Sequence, residues 1–387
     1  MIPVDRMLSG TLVLDLSRHL PGPLAGRLLA DLGARVVKVE EPTQGDPVRQ
    51  MKGLGALILS GIESVALDLK EPEGQEVLGR LLERADVLLE SFRPGTLARL
   101  GFPPDLLRER YPGLVVCSVT GWGQSGPYSA RAGHDLTYQA VAGSLAPTAA
   151  MPSVPVVDLV GAWSATSAIL AALLERQRTG KGRHIDAALL DAGVHANLVS
   201  WAMEAKGPNA VGESLPLTGA LPCYRLYRTA DGRLLALAAL EPHFWQRLCD
   251  AVGRADLRSR QYSASARVFR QVEELVGGRT LAEWMEIFAR EDIPAEPVLS
   301  AAQAQGHPQV RARGLLAEGG DMLPRIGFPA LVDGVRPRAG LHVPDLGEHT
   351  DAWLDELGVA REARKGRGIG KRFSWKRLLR RFREFGF

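Results

Sequence analysis

Cysteine is scarce in this sequence: Cys117, Cys223 and Cys249 are the three in 387 residues. They lie far apart, form no CxxC pair and have no histidine close by. A disulfide framework and a cysteine zinc site are therefore not expected, and buried reduced thiols are. Long apolar runs are also missing. No eighteen consecutive apolar residues occur, and the opening MIPVDRMLSG lacks a basic region followed by an apolar stretch, which argues for a cytoplasmic protein. Internal repeats are absent too. Net charge is small, +3, but unevenly placed. Residues 361–387 hold eleven Lys/Arg and two Glu, leaving 36 Lys/Arg against 42 Asp/Glu before them, a net −6.

What is present reads as an ordinary globular chain, 45% hydrophobic and 24% charged, long enough for two domains or one large domain with an insertion. The strand TLVLDLS (11–17), the helix PGPLAGRLLADLG and the strand ARVVKVE (34–40) form a βαβ unit, with Pro23 suited to a first helical turn and Gly33 to a C-terminal cap. SVALDLK (64–70), the helix EGQEVLGRLLERA, DVLLESF (86–92), a short helix near 104–110 and LVVCSVT (114–120) continue the alternation. Such alternation predicts an α/β fold with an open parallel sheet. WSATSAILAALLERQRTGKG predicts a long apolar helix, and RHIDAALLDAGVHANLVSWAME a strand entering another helix. GESLPLTGALPCY (212–224) reads as a linker, and YRLYRTADGRLLALAAL as a hairpin around Asp-Gly. The domain expectation is a large α/β part at 1–211, the linker and a smaller α+β domain at 212–310, a return to the large domain at 311–360, and the basic tail.

Several motifs could carry chemistry. GHDLTYQA (133–140) sets His134 against Asp135 just after a glycine-rich loop, so His134 either moves a proton or fills a helix start. GWGQSG (121–126) matches GxGxxG, but Pro127 follows and no apolar helical pattern opens there, which disfavours a dinucleotide fingerprint; a loop whose backbone approaches a ligand stays open. Arg93 in FRPG ends a strand at the edge where open α/β sheets bind ligands, and Lys38, Lys70 and Arg99 could join it around a phosphorylated ligand. Isolated surface cations explain them equally well. Asp158 ends VPVV before the long helix and Glu241 precedes Pro242, so helix capping accounts for each when taken alone.

Taken in order, VLDLSRHLPGPLAGRLLADLGARVVKVEEP, SVALDLK, FRPGTLARLG, VTGWGQSGPY, GHDLTYQAVAG, the Asp158 segment, RTGKGRHIDAALLDA, YRTADG with ALEPHFW, and HPQVRARG resemble the family III CoA-transferases (CaiB/BaiF). GHDLTY and YRTADG with ALEPHFW are most similar to the α-methylacyl-CoA racemase branch. The resemblance covers roughly residues 8–358. It implies a large Rossmann-like domain built from both ends of the chain, a small middle domain, and an interlocked homodimer with the active site between subunits. It also implies that His134 and Asp158 are the acid/base groups and that Glu241 reaches the histidine from the partner. Lys38, Asp68, Lys70, Arg93, Arg99 and the turn of Gly133, Asp135 and Tyr138 would hold coenzyme A, which enters as part of the substrate, with no tightly bound cofactor and no metal.

Inverting a carbon beside a thioester needs a base on one face and an acid on the other. Imidazole titrates near neutrality and a carboxylate at a helix start is expected to stay charged, so the two would begin in opposite states. Glu241 would favour imidazolium, and N–H groups of the 133–135 turn would hold the enolate oxygen. In the transferase branch the residue matching Asp158 attacks the thioester instead, with no need of His134. A non-catalytic acyl-CoA-binding protein is a third reading, motivated by Gly61-Ile62-Glu63-Ser64, where relatives carry Gly-Lys-Arg-Ser and a cationic contact to the coenzyme. Pro155-Val156-Val157-Asp158 also lacks the asparagine that racemases carry shortly before the aspartate. The tail KRFSWKRLLRRFREFGF forms a basic amphipathic pattern that could dock on the acidic body or an anionic membrane; specific nucleic-acid binding is not expected.

Overall fold

Six short β-branched and leucine-rich runs become the strands β1 (Leu12–Asp15), β2 (Arg35–Glu40), β3 (Glu63–Ala66), β4 (Val87–Glu90), β5 (Val115–Thr120) and β6 (His184–Ala188). They pair in parallel in the order β3-β2-β1-β4-β5-β6, the doubly wound arrangement in which the winding direction reverses between β1 and β4. The computed structural model describes residues 6–146, 150–204, 216–317 and 325–359. The basic tail and residues 212–215 of the 212–224 linker lie outside the described residues.

Helices cover both faces of the sheet, which is why its central strands are apolar throughout. Along β5, Val115, Cys117 and Val119 point to one face and meet α1 (Pro21–Asp31), α2 (Lys52–Leu59) and α7 (Val156–Thr179). Val116 points to the other, toward α3 (Pro72–Leu82), α4 (Thr96–Arg99), α5 (Pro104–Arg110) and the C-terminal Trp353 and Leu354. Two further helices, α6 (Asp135–Ala142) and α8 (Leu189–Ala196), pack on α7. Helix α7 is long and apolar enough to cross a membrane by length and composition. Ala162, Ala165, Ile169, Ala172 and Leu173 on it are buried in the core on the sheet.

The chain divides into two compact units. The larger comprises residues 1–142, 154–196 and 309–387; the smaller comprises 143–153 and 197–308. The small unit therefore begins at 197 and takes in the 143–153 excursion, neither of which carries a sequence signal as clear as the Gly/Pro-rich stretch at 212. It holds α9 (Leu198–Glu204), the antiparallel sheet β7 (Tyr224–Arg228), β8 (Leu234–Ala238) and β9 (Ala295–Pro297), and α10 (Pro242–Ala251), α11 (Ala266–Gly277), α12 (Leu281–Glu291) and α13 (Ala301–Gly306). The β7–β8 hairpin turns at Asp231-Gly232, and Tyr227, Trp245, Trp284 and Phe288 fill a core of its own.

Lys38 is corrected by the structure. Its side chain is fully buried, with Nζ 3.1 Å from Asp15 Oδ2, 2.9 Å from Asp46 Oδ2 and donating to Ser17 O at 2.7 Å. Burial opposes its charge, but Asp15, Asp46 and Glu40 outweigh that and hold the ammonium above its ordinary pKa. Lys38 is thus spent inside the fold rather than presented to a ligand. The Gly61-Ile62-Glu63-Ser64 departure also has a local explanation. Ile62 is buried in the core, and Glu63 accepts from Arg35 Nε at 2.8 Å and Nη2 at 3.1 Å and from Trp353 Nε1 at 2.5 Å, binding β2, β3 and the returning C-terminal segment. Replacing Lys38 by Met leaves two buried carboxylates uncompensated and is expected to destabilise the large unit by about 3–5 kcal/mol in urea unfolding. A loss below about 1 kcal/mol would show that the network is not holding the fold.

Candidate functional site

In a doubly wound sheet a crevice opens at the carboxyl edge where the winding reverses, here between β1 and β4. The loops that leave those two strands are tied together by Arg18 N–H donating to Ser91 Oγ at 2.9 Å. His19 takes up positive φ, +72°, and is held there by its N–H donating to Asp46 Oδ1 at 3.1 Å. The buried Lys38 network therefore shapes this edge from beneath. Arg93 and Arg99 follow β4 and are exposed, and Lys70 follows β3 and is exposed. Asp68 Oδ1 accepts from the Lys70 N–H at 3.0 Å and fixes that turn. These cations share the carboxyl edge with Arg18, which sequence reasoning missed. Its signal is positional: it directly follows the strand at the reversal.

The loop from β5 to α6 brings GWGQSG and the His134 motif to the same edge. GWGQSG enters no helix; the next is α6, at Asp135, so the phosphate-cradling helix of a dinucleotide site is missing. Tyr138 instead wedges between Gly121 and Gly133. A Cβ at Gly121 would lie 2.1 Å from the Tyr138 hydroxyl, and one at Gly133 2.5 Å from its ring. Only glycine permits that approach. Trp122 closes edge-on over the Tyr138 ring at 4.9 Å between centroids. A cavity of about 40 Å³ lined by Glu90, Arg93, Leu97, Ser118, Gln124 and His184 lies under the Arg93 loop. It has room for water and not for an acyl chain.

His134 both starts a helix and presents an exposed imidazole. Its carbonyl accepts from Thr137 N–H at 2.8 Å and from Tyr138 N–H at 3.2 Å, and its own N–H donates to Thr137 Oγ1 at 3.1 Å. Asp158 stands in the first turn of α7, half-buried, and α7 begins at the carboxyl edge because it leads back to β6, parallel to β5. Burial first and the Asp135 charge second push the Asp158 carboxyl up to about 6, against a smaller opposing pull from His134. His134, Asp135, Tyr138 and Asp158 are thus brought within electrostatic reach of one another. Burial, then the Asp158 charge, push the Tyr138 phenol up to about 12. Asp158, expected to stay charged at a helix start, is still mainly ionised at pH 7, but its carboxyl is held above the ordinary range, and the physical reason is visible. The Val157 and Asp158 N–H groups that would favour that charge donate to Asp135 Oδ1, at 2.8 and 3.0 Å.

Glu241 lies on the small unit at the N-cap of α10, exposed, and its side chain makes no capping hydrogen bond. Capping therefore does not account for its carboxylate.

The sequence matches the profile of CoA-transferase family III over residues 8–350. The chain belongs to that family. It is 34% identical to the α-methylacyl-CoA racemase of Homo sapiens, covering 92% of this chain and 94% of the relative. It is also 34% identical to the succinate–glutarate CoA-transferase of Agrobacterium fabrum, covering 90% and 95%. The crystal structure of a CaiB/BaiF family protein from Brucella suis superposes with a TM-score of 0.80 at 28% identity, covering 90% of this chain and 99% of that one. As a member of CoA-transferase family III the protein is an acyl-CoA enzyme of a group that includes both racemases and CoA-transferases.

The Asp158 carboxyl sets a pH dependence of stability. Its folded pKa, about 6, lies above the ordinary carboxylate value, so the folded protein binds a proton there that the unfolded chain has lost. Stability carried by that proton is present below about pH 4 and is lost as pH rises to about 6. Asp158→Asn is therefore expected to gain on the order of 1 kcal/mol over the native protein at pH 8 relative to pH 4, after allowing for solvent screening. Urea unfolding at the two pH values checks this, and equal differences at both would refute it.

Proposed function

We propose that the protein racemises or epimerises a 2-methylacyl-CoA by proton transfer through an enolate, with His134 and Asp158 as the two acid/base groups. The observation that carries this reading is an Asp158 carboxyl pushed up to about 6 within electrostatic reach of the His134 imidazole. A carboxyl poised there serves as base when ionised and as acid when protonated, which a reaction running in both directions requires. In one direction the Asp158 carboxylate removes the α-proton and the His134 imidazolium returns one to the opposite face; in the other the roles exchange. The negative charge that develops on the thioester oxygen needs a donor. His134 N–H is already given to Thr137, whereas Asp135 N–H stands in the first turn of α6, where helix donors lack intrahelical acceptors.

Arg18, Lys70, Arg93 and Arg99 on the carboxyl edge are positioned for the phosphates of coenzyme A, which enters with the substrate and is not a resident cofactor. Glu241 supports the imidazolium, and the working form is a homodimer in which it arrives from the partner subunit.

Equal identity to a CoA-transferase keeps one competing reaction in view. There the Asp158 carboxylate attacks the thioester carbon, the carbon–sulfur bond breaks and CoA thiolate leaves a mixed anhydride; the thiolate attacks the aspartyl carbonyl and releases the first acid. The acceptor carboxylate then attacks the aspartyl thioester to free the thiolate again, and thiolate attack on the acceptor's acyl carbon forms the new thioester and restores the Asp158 carboxylate. That route consumes an acceptor carboxylate and uses no α-proton.

Incubation with a 2-methylacyl-CoA in deuterium oxide separates the two. Deuterium is expected at the α-carbon without any added acid, and His134→Ala should slow its entry by at least about 100-fold. Unchanged exchange in His134→Ala, or CoA movement that requires a free carboxylate with no α-deuterium, would overturn the proposal.

A further inference from the structure

We propose that Asp135 is a positioning residue for Asp158: its carboxylate ties the first turn of α7 to that of α6 and places a negative charge beside the acid/base carboxyl. This deepens the racemase reading and rests on it for its catalytic meaning.

The geometry is that of a cap supplied from another helix. The residue at the N-cap of α7 is Pro155, which has no side-chain acceptor, and no side chain of that position caps the helix. Asp135, the first residue of α6 and twenty-odd positions earlier in the chain, fills the role. Its Oδ1 accepts from Val157 N–H at 2.8 Å and Asp158 N–H at 3.0 Å, and its Oδ2 accepts from Gln139 Nε2 at 2.6 Å. Both oxygens are therefore engaged, and the carboxylate is fixed between two helix starts. Because Asp158 N–H is one of the donors, any rotation of Asp135 moves the backbone of the residue that does the chemistry.

The same placement has an electrostatic result. The charges that act on Asp158 are Asp135, which opposes its ionisation, and His134, which favours it. Of the other elements packed on α7, α1 carries Arg27 and Asp31, which pair with each other at 2.9 Å, β5 carries the buried Cys117 thiol, β6 carries His184 and Asp186, and α8 carries Asp191 and His195; none of these acts on Asp158. From α6 the Tyr138 phenol feels the Asp158 charge in turn. Among the described residues, Asp135 is thus the neighbouring charge that works with burial to bring Asp158 toward neutrality.

Asp135→Asn separates the mechanical from the electrostatic contribution, since the amide oxygen can still accept both N–H groups while the charge is gone. The Asp158 carboxyl is followed by ¹³C NMR of the protein labelled at aspartate carboxyl carbon, its resonance assigned by its loss in Asp158→Asn, with no substrate present. In Asp135→Asn its midpoint is expected about one pH unit below that of the native protein, and the acid limb of α-proton exchange should move the same way. Asp135→Ala should in addition lower the melting temperature, which Asp135→Asn should not; if Asp135→Ala fails to fold, the asparagine variant carries the test alone. An unmoved or raised Asp158 midpoint overturns the inference. The titration is read without turnover, so absence of α-exchange in the native protein would sink the racemase reading while leaving this result to stand or fall independently.

Discussion

One buried ammonium organises the edge on which the candidate site sits. Lys38 Nζ lies between Asp15 and Asp46 and donates to Ser17 O, so β1, β2 and the segment after β2 meet at a single charge removed from water. Buried ions are stable only when each is compensated, and here compensation also sets shape. Asp46 uses its other oxygen to hold His19 in a positive-φ conformation that an unsupported histidine would leave. The crevice loop between β1 and α1 thus inherits its form from an interaction beneath it.

A second arrangement of charge governs the site. A carboxylate at a helix start is ordinarily favoured by about 0.3–1 kcal/mol through the helix dipole and its open N–H groups. At α7 that advantage is given to Asp135, and Asp158 is left half-buried beside a like charge. Burial and repulsion then win over the helix start, and Asp158 titrates near the pH at which an imidazole does. Under the proposed racemisation, the two-face chemistry of an α-carbon would draw on this division of labour between two aspartates.

The strand and helix pattern of the large unit was legible because apolar runs bounded by glycine and proline leave few alternatives; all six parallel strands and the Asp231-Gly232 hairpin fall where periodicity and turn chemistry place them. His134 and Asp158 were legible as candidates through motif order. What the sequence hid was pairing at a distance. Nothing in KVE announces that Lys38 points inward to Asp15 and Asp46, and nothing in Gly-Ile-Glu-Ser announces that Glu63 answers Arg35 and Trp353 across the sheet edge. Asp135 was read for its backbone, since its side chain acquires meaning only when α7 is brought beside α6. The unit boundary at 197 was hidden for a related reason: α8 and α9 are nearly continuous in sequence but belong to different units.

Asp158 sits at the head of a 24-residue helix whose body, from Ala162 to Leu173, is locked into the sheet's packed layer. The acid therefore shares the stiffness of the interior, whereas His134 stands on a short eight-residue helix at the rim. Under the proposed reaction the carboxyl would serve as the fixed reference from which the reacting carbon is measured.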